Sequence, residues 1–262
     1  MASYTGLAVS DEILKDKLEL ELPGRAGEDS ADGATGVTTR AVDGVDGVTV
    51  SDGVLTAAQC AALIEQGFGE RASSHPVMWR RWADDPEAEE RKLGRRTIFS
   101  SPEAAAVMWE FVSDLVPETV ETTTGGDRQV WAKRGLSPRL KFITYATRQD
   151  FPSHYDGPYV ESPQRQSFFS VLFYLSTAGG LLDRARDHRG GELEFLARSS
   201  KFADPSECEV VASVPPAAGR VVIMPHRRLH KSSPVKGGRK YMIRCDAVYD
   251  LVESEQVDAA TD

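Results

Sequence analysis

Apolar and polar positions divide the chain into a helix-patterned first half and a strand-patterned second half. Val48 to Val54 alternates and then turns at Asp52-Gly53, the pattern of a first strand. Thr56 opens TAAQCAALIEQGFGE, where a capping side chain precedes alanines, Leu63 and Ile64, so a helix is expected. A second helix begins at Ser101-Pro102, with serine as the cap and proline at the first helical position. Its Val107, Met108, Phe111 and Leu115 recur at helical spacing, which reads as a face packed on a sheet. From Leu140 onward the segments LKFITYA, SFFSVLFYLS, GELEFLA, GRVVIMP and KYMIRCDAVYD are short and rich in β-branched and aromatic residues. They are separated by Gly, Pro, Asp and Ser, and each predicts a strand. Two helices followed by many strands predict an α+β, mainly β fold: a mostly antiparallel β core buttressed by N-terminal helices.

Residues 24–46 lack large apolar side chains and read as a flexible segment, preceded by a short helix over Glu12–Leu22. Residues 1–46 are therefore expected to be a flexible acidic N-terminal segment. Residues 47–262 would be a single domain, with helical support over 47–135 and the β core over 136–250. The charged stretch 70–95 reads as an exposed loop.

Composition narrows the function. A net charge of -9 and a pI near 5.2 disfavour nucleic acid and anionic membranes as partners, without excluding a local basic pocket for a small anion. Three widely spaced cysteines, Cys60, Cys208 and Cys245, form neither a disulfide framework nor a zinc pattern. The first residues have no apolar signal core, and no run is long enough to span a membrane, so a cytoplasmic protein is expected.

The candidate chemistry lies at His154-Tyr155-Asp156. In a strand, residues i and i+2 point to one face, so an imidazole and a carboxylate converge. The segment GRVVIMPHRRLHKSSPVKGGRKYMIR adds a further histidine after an apolar strand. Two histidines and one carboxylate leave coordination positions open, the ligand set that suits non-heme Fe(II). His226 and His230 compete for the third place. His230 is favoured because Lys240 follows at the distance a β-hairpin needs to bring it beside the metal, with His226 supporting or solvent-exposed. His75 and His188 sit in charged, loop-like contexts and are given no role. Lys240, Met242 and Arg244 share one face of the last strand, opposite Tyr241, Ile243 and Cys245. A basic side chain in an apolar strand needs an anion, so Lys240 is read as an anion anchor, with Arg244 as the alternative. Ser170 and Tyr174, on one face of their strand, and Tyr145 are candidate hydrogen-bond donors to the same anion.

The ordered run HYDGPY, SFFSVLFYLS, GGELEF, GRVVIMP and LHKSSPVKGGRKYMIR resembles the prolyl 4-hydroxylase-like branch of the 2-oxoglutarate/Fe(II) oxygenases, over residues 136–250. His154 and Asp156 fall on that family's HxD motif. Ser170 and Tyr174 fall on its Thr and Tyr of the YLN strand, and Gly190, Gly191 and Glu192 on GGE. His230, Pro234 and Val235 fall on H-x-x-x-P-V, and Lys240 on the co-substrate base. Ser176 stands where the family has Asn, and residues 178–189 look like an inserted charged loop. The resemblance implies a double-stranded β-helix, or jelly-roll, with iron inside one end. It also implies Fe(II), 2-oxoglutarate and O2 as cofactor and co-substrates, with ascorbate as a reductant.

The implied reaction decarboxylates 2-oxoglutarate to succinate and CO2 while oxidising an unactivated C–H bond. The ligand Asp156 argues against halogenation. A small amino-acid-like or carboxylated metabolite is the first choice of substrate, since Arg227, Arg228 and Arg244 lie near the site. A peptidyl-prolyl side chain is second, with desaturation or oxidative cyclisation possible on the same scaffold. The loops at 70–95 and 178–189 are candidate lids. A non-catalytic jelly-roll binding module is the alternative of a different class.

Overall fold

A computed structural model describes residues 20, 22, 36–68, 75–76, 94–178, 188–197 and 208–256. The chain forms β1 (Thr38–Val42), β2 (Val45–Asp52), α1 (Ala57–Phe68), β3 (His75–Pro76), β4 (Arg95–Ser100) and α2 (Pro102–Val112). After a single 3-10 turn at Ser113–Leu115 come β5 (Thr119–Thr124), β6 (Asp127–Leu136), β7 (Arg139–Ala146), β8 (Phe151–His154), β9 (Val160–Ser162) and β10 (Arg165–Tyr174). The remainder is β11 (His188–Gly190), β12 (Leu193–Ala197), β13 (Glu209–Val214), β14 (Val221–Pro225), β15 (His230–Ser232) and β16 (Val235–Gln256).

Among the described residues these strands make two sheets. The larger has the order β1-β2-β14-β10-β16-β7-β4-β3, with β5, β6, β9 and β11 attached beside it; the smaller is β13-β12-β15-β8. Their ladders are antiparallel throughout, as alternating short strands joined by turns favour. Two buried clusters explain the layering. Val48, Val50, Tyr145, Leu172, Tyr174, Val222, Met224 and Met242 of the large sheet meet Leu193, Phe195 and Val214 of the small one. The opposite face of the large sheet packs Phe142, Val171, Phe173, Ile223, Ile243 and Cys245 against Leu63 of α1 and Met108 and Val112 of α2. This is the jelly-roll expected, with the helices on its outer face.

The helices expected at Thr56 and at Ser101 both form. Ser101 caps α2, its hydroxyl accepting from the Ala104 amide at 3.1 Å, with Pro102 at the first turn. In α1, Thr56 and Gln59 close a reciprocal box. The Thr56 amide donates to the Gln59 side chain at 2.8 Å, and the Gln59 amide donates to the Thr56 hydroxyl at 3.2 Å.

Three expectations need correction. Part of the flexible segment, Thr38–Val42, is strand β1. It is almost wholly exposed and held by pairing with β2, so no apolar pattern marks it. Leu20 and Leu22 pack against the core, while the rest of the helix expected at Glu12–Leu22, and residues 24–35, lie outside the described residues. The region 47–135 holds β4, β5 and β6 as well as the helices. β5 and β6 turn at Gly125 and Gly126, whose φ values of +64° and +96° favour glycine. Finally, His230 and Lys240 are not partners in one hairpin. β15 pairs with β8 and β12 in the small sheet, whereas β16 belongs to the large one, so the chain crosses between sheets at Ser233-Pro234. The loop expected at 70–95 falls mostly outside the described residues, as does most of 178–189. No helix among the described residues is long and apolar enough to cross a membrane. Cys60 and Cys245 are buried, and no cysteine is in a disulfide.

Candidate functional site

β8 ends at His154, and its register with β15 sets His154 directly opposite His230. Asp156 follows just beyond the strand, fixed by its own amide, which donates to the His226 carbonyl at 3.0 Å. The ligand atoms of His154, Asp156 and His230 all lie within 4.8 Å of one another. His154 Nε2 is 3.5 Å from Asp156 Oδ1, and His230 Nε2 is 3.9 Å from Oδ2. In both histidines Nδ1 is 2.8 Å from a backbone carbonyl, of Pro152 and of Arg228. Those carbonyls can only accept, so each Nδ1 carries the proton and each Nε2 lone pair faces the centre. This is how ligating histidines are oriented in metal sites. Burial and the neighbouring His154 push the His230 imidazole down to about 4, so it stays neutral and free to ligate near pH 7. The residues therefore fit a divalent metal with open coordination positions.

Asp156 is held ionised. Burial opposes its charge, but the Arg244 guanidinium beside it outweighs that and keeps the carboxyl well below its usual range. Arg244 Nη2 is 3.1 Å from Oδ1, and the Ser170 hydroxyl donates to Oδ2 at 2.5 Å. Behind them, Asp246 bridges Arg244 at 3.0 Å and Lys141 at 3.2 Å. His226 is buried between Ser167 and Ser170, with Nε2 2.8 Å and Nδ1 3.0 Å from their hydroxyls. It stands behind Asp156 and not in the ligand cluster.

Lys240, Met242 and Arg244 line the cavity that also exposes His154, Asp156 and His230, while Tyr241, Ile243 and Cys245 pack into or against the opposite core. The alternation read from the sequence is therefore the real one. Lys240 is 1% exposed, and its ammonium donates to the Gly191 carbonyl at 2.7 Å and the Ser232 hydroxyl at 2.6 Å. Among the described residues no carboxylate pairs with it. Burial pulls its pKa down to about 7, with Glu192 partly opposing. The rings of Tyr145 and Tyr174 lie 4.9 and 5.7 Å from its nitrogen, close enough for cation–π attraction. Burial raises both phenols, so they remain protonated donors.

Of the residues singled out in the sequence, His154, Asp156, His230, Lys240, Tyr145, Tyr174 and Arg244 line one cavity. Ser170 does not. It serves Asp156 and not the end of the cavity at Lys240. Arg244, the alternative anchor, is bound to Asp156 and Asp246. His188 is not in a loop: it is a wholly buried residue of β11, with Nδ1 3.2 Å from the Ser176 hydroxyl. Ser176 also accepts from the Tyr241 amide at 2.9 Å, so the departure from the family's Asn keeps a polar link at that corner. Arg96 and Lys141 line the cavity and were missed.

Residues 140–245 match the model of the 2OG-Fe(II) oxygenase superfamily. No curated protein matches the chain. Among solved structures, the chain is similar to the non-heme alpha-ketoglutarate-dependent carbocyclase SnoK from nogalamycin biosynthesis. The TM-score is 0.51 at 12% identity, covering 82% of this chain and 84% of that one. A prolyl hydroxylase from Trichoplax adhaerens, in complex with a hypoxia inducible factor peptide fragment, gives 0.48 at 15% identity, with 77% and 83% covered. HygX from Streptomyces hygroscopicus, with nickel and 2-oxoglutarate bound, gives 0.47 at 13%, with 82% and 88% covered. At these identities the likeness to SnoK is one of fold. Residues 140–245 thus carry the signature of the 2OG-Fe(II) oxygenase superfamily, a family of dioxygenases that depend on Fe(II), 2-oxoglutarate and O2.

Proposed function

We propose that the protein oxidises, most simply by hydroxylation, an unactivated C–H bond of a small amino-acid-like or carboxylated metabolite. In this reading His154, Asp156 and His230 hold Fe(II), and Lys240 anchors the distal carboxylate of 2-oxoglutarate. The observation that carries it is the Lys240 ammonium, buried in the same cavity as the triad and without a carboxylate partner among the described residues. An ammonium so placed is costly until an anion arrives, and a dicarboxylate reaching from the metal supplies one.

Bound iron and co-substrate together supply the oxidising power for the C–H bond. The chain's own residues do the rest. The backbone carbonyls of Pro152 and Arg228 keep both Nε2 lone pairs aimed at the centre. Ser170 and Arg244 hold Asp156 in place and ionised. Tyr145 and Tyr174 flank the anchor as donors, and Leu172, Leu193, Ile143 and Met242 give the cavity an apolar wall. The substrate class is supported by an excess of positive charge: Arg96, Lys141, Lys240 and Arg244 line the cavity against the single carboxylate Asp156.

The test is succinate release in air from iron-loaded protein. A panel of free amino acids and small organic acids is compared with prolyl peptides. Succinate release stimulated by a carboxylated metabolite, with the oxidised product seen by mass, is expected. Stimulation only by peptides would replace the substrate reading. No succinate with any of them, from folded and metal-replete protein, would favour a binding module.

A further inference from the structure

Arg96 sits on β4, opposite Ile143 of β7, and faces the same cavity as His154, Asp156 and Lys240. Three of the cavity's four cations are accounted for. Lys141 pairs with Asp246, Arg244 with Asp156 and Asp246, and Lys240 with two oxygens and, on the reading above, 2-oxoglutarate. Arg96 makes no hydrogen bond or ion pair among the described residues. The charged group that acts on it most strongly is another cation. Burial and then Arg244 disfavour its charge, with only Tyr145 opposing. A guanidinium does not give up its proton under ordinary conditions, so Arg96 faces the cavity as a half-buried cation without an anion among the described residues.

Arg244 is incompletely used as well. Its contacts to Asp156, Asp246 and Ser170 all run through Nη2, and its Nε is buried without a hydrogen-bond partner among the described residues. The charge excess also survives loading: Fe(II) brings two positive charges and 2-oxoglutarate removes two. Two neighbouring guanidiniums with donors to spare, beside a metal site, match the planar, two-oxygen geometry of a carboxylate.

We propose that Arg96, with Arg244 beside it, is the specificity subsite that takes a free carboxylate of the primary substrate. This inference rests on the oxygenase reading of the cavity. It narrows the substrate to an organic acid or amino acid with an unblocked carboxylate. An internal prolyl residue of a peptide, which has none, would leave Arg96 unpaired.

The test needs neither turnover nor the true substrate. Anaerobic protein saturated with Fe(II) and 2-oxoglutarate is titrated with acetate, benzoate, inorganic phosphate, acetamide and benzamide. Binding is read by calorimetry and by perturbation of the visible band of the iron–co-substrate chelate. The acids are expected to bind about ten- to hundredfold more tightly than their amides, the worth of a charge-assisted hydrogen-bonded contact. Arg96→Gln should abolish that preference and Arg96→Lys restore part of it, with the 2-oxoglutarate dissociation constant unchanged in both. Equal binding of acids and amides, or no binding of the acids, overturns the subsite, as does a preference that persists in Arg96→Gln. Preference for phosphate over acetate overturns the carboxylate assignment. Loss of 2-oxoglutarate affinity in Arg96→Gln would move Arg96 to the co-substrate. In each case a chelate band in the wild type leaves the oxygenase reading standing, whereas its absence removes that reading itself.

Discussion

Asp156 carries the heaviest demands of any residue in the site, because it must be buried, ionised and aimed. Ser170 supplies one of its two side-chain supports. Ser170→Ala is expected to weaken Fe(II) binding about ten- to hundredfold, as loss of a partner behind a ligand commonly does. Competition with a coloured chelator measures this, and unchanged affinity would mean Arg244 alone suffices. Lys240 makes a sharper prediction. With its pKa near 7, it is mostly neutral at pH 8, and an incoming carboxylate favours its charged form. Binding of 2-oxoglutarate at pH 8 should therefore take up close to one proton. Calorimetry in two buffers of different ionisation enthalpy detects that uptake, and buffer-independent heats would remove Lys240 from the anchor role. These residues were legible because their signals are local: HxD, a histidine after an apolar strand, a lysine inside one. The partner of Ser170 was not, since Asp156 reaches it from the end of another strand. Arg96 was hidden for the same reason, its meaning depending on the pairing of β4 with β7.

At the scale of elements, β16 organises the molecule, pairing with β6, β7, β10 and β11 along its length. The helices brace the sheet from behind, and their approach is close. A Cβ added at Gly67 of α1 would lie 2.0 Å from the Phe142 ring, which is fully buried. Gly67→Ala should therefore lower stability by about 1–3 kcal/mol through overpacking, although alanine is the better helix former. Chemical denaturation checks this, and a stabilised variant would show that α1 can shift. Apolar strands such as β7, β10 and β14 could be read directly, because burial writes itself as Val, Ile, Leu and Phe. The strands β1 and β5 could not. Thr38–Val42 and Thr119–Thr124 are mostly exposed and polar, and their pairing partners, more than their own burial, make them strands. The passage from β15 to β16 was misread as a hairpin because the sequence shows a turn but not which sheet each arm joins.

For the molecule as a whole, net charge and site charge have opposite signs: the chain carries -9, yet its cavity holds four cations. Keeping Lys240 buried costs stability. Its folded pKa near 7 lies below its ordinary 10.5, so between these values the unfolded chain binds more protons than the folded one. Its contribution therefore makes stability rise with pH over that window, with the full penalty below about 7. Lys240→Met should flatten that part of the stability–pH curve, and an unchanged curve would place the lysine's cost elsewhere. The central claim is that one cavity holds iron at His154, Asp156 and His230 and 2-oxoglutarate at Lys240. Its most direct measurement is an anaerobic titration of the protein with Fe(II) and 2-oxoglutarate, followed by the visible band of the chelate. The account predicts a saturable band in the wild type and none in His230→Ala. In Lys240→Met the band should form only at about ten- to hundredfold more 2-oxoglutarate. A band that survives in His230→Ala, or saturates equally in Lys240→Met, would contradict it.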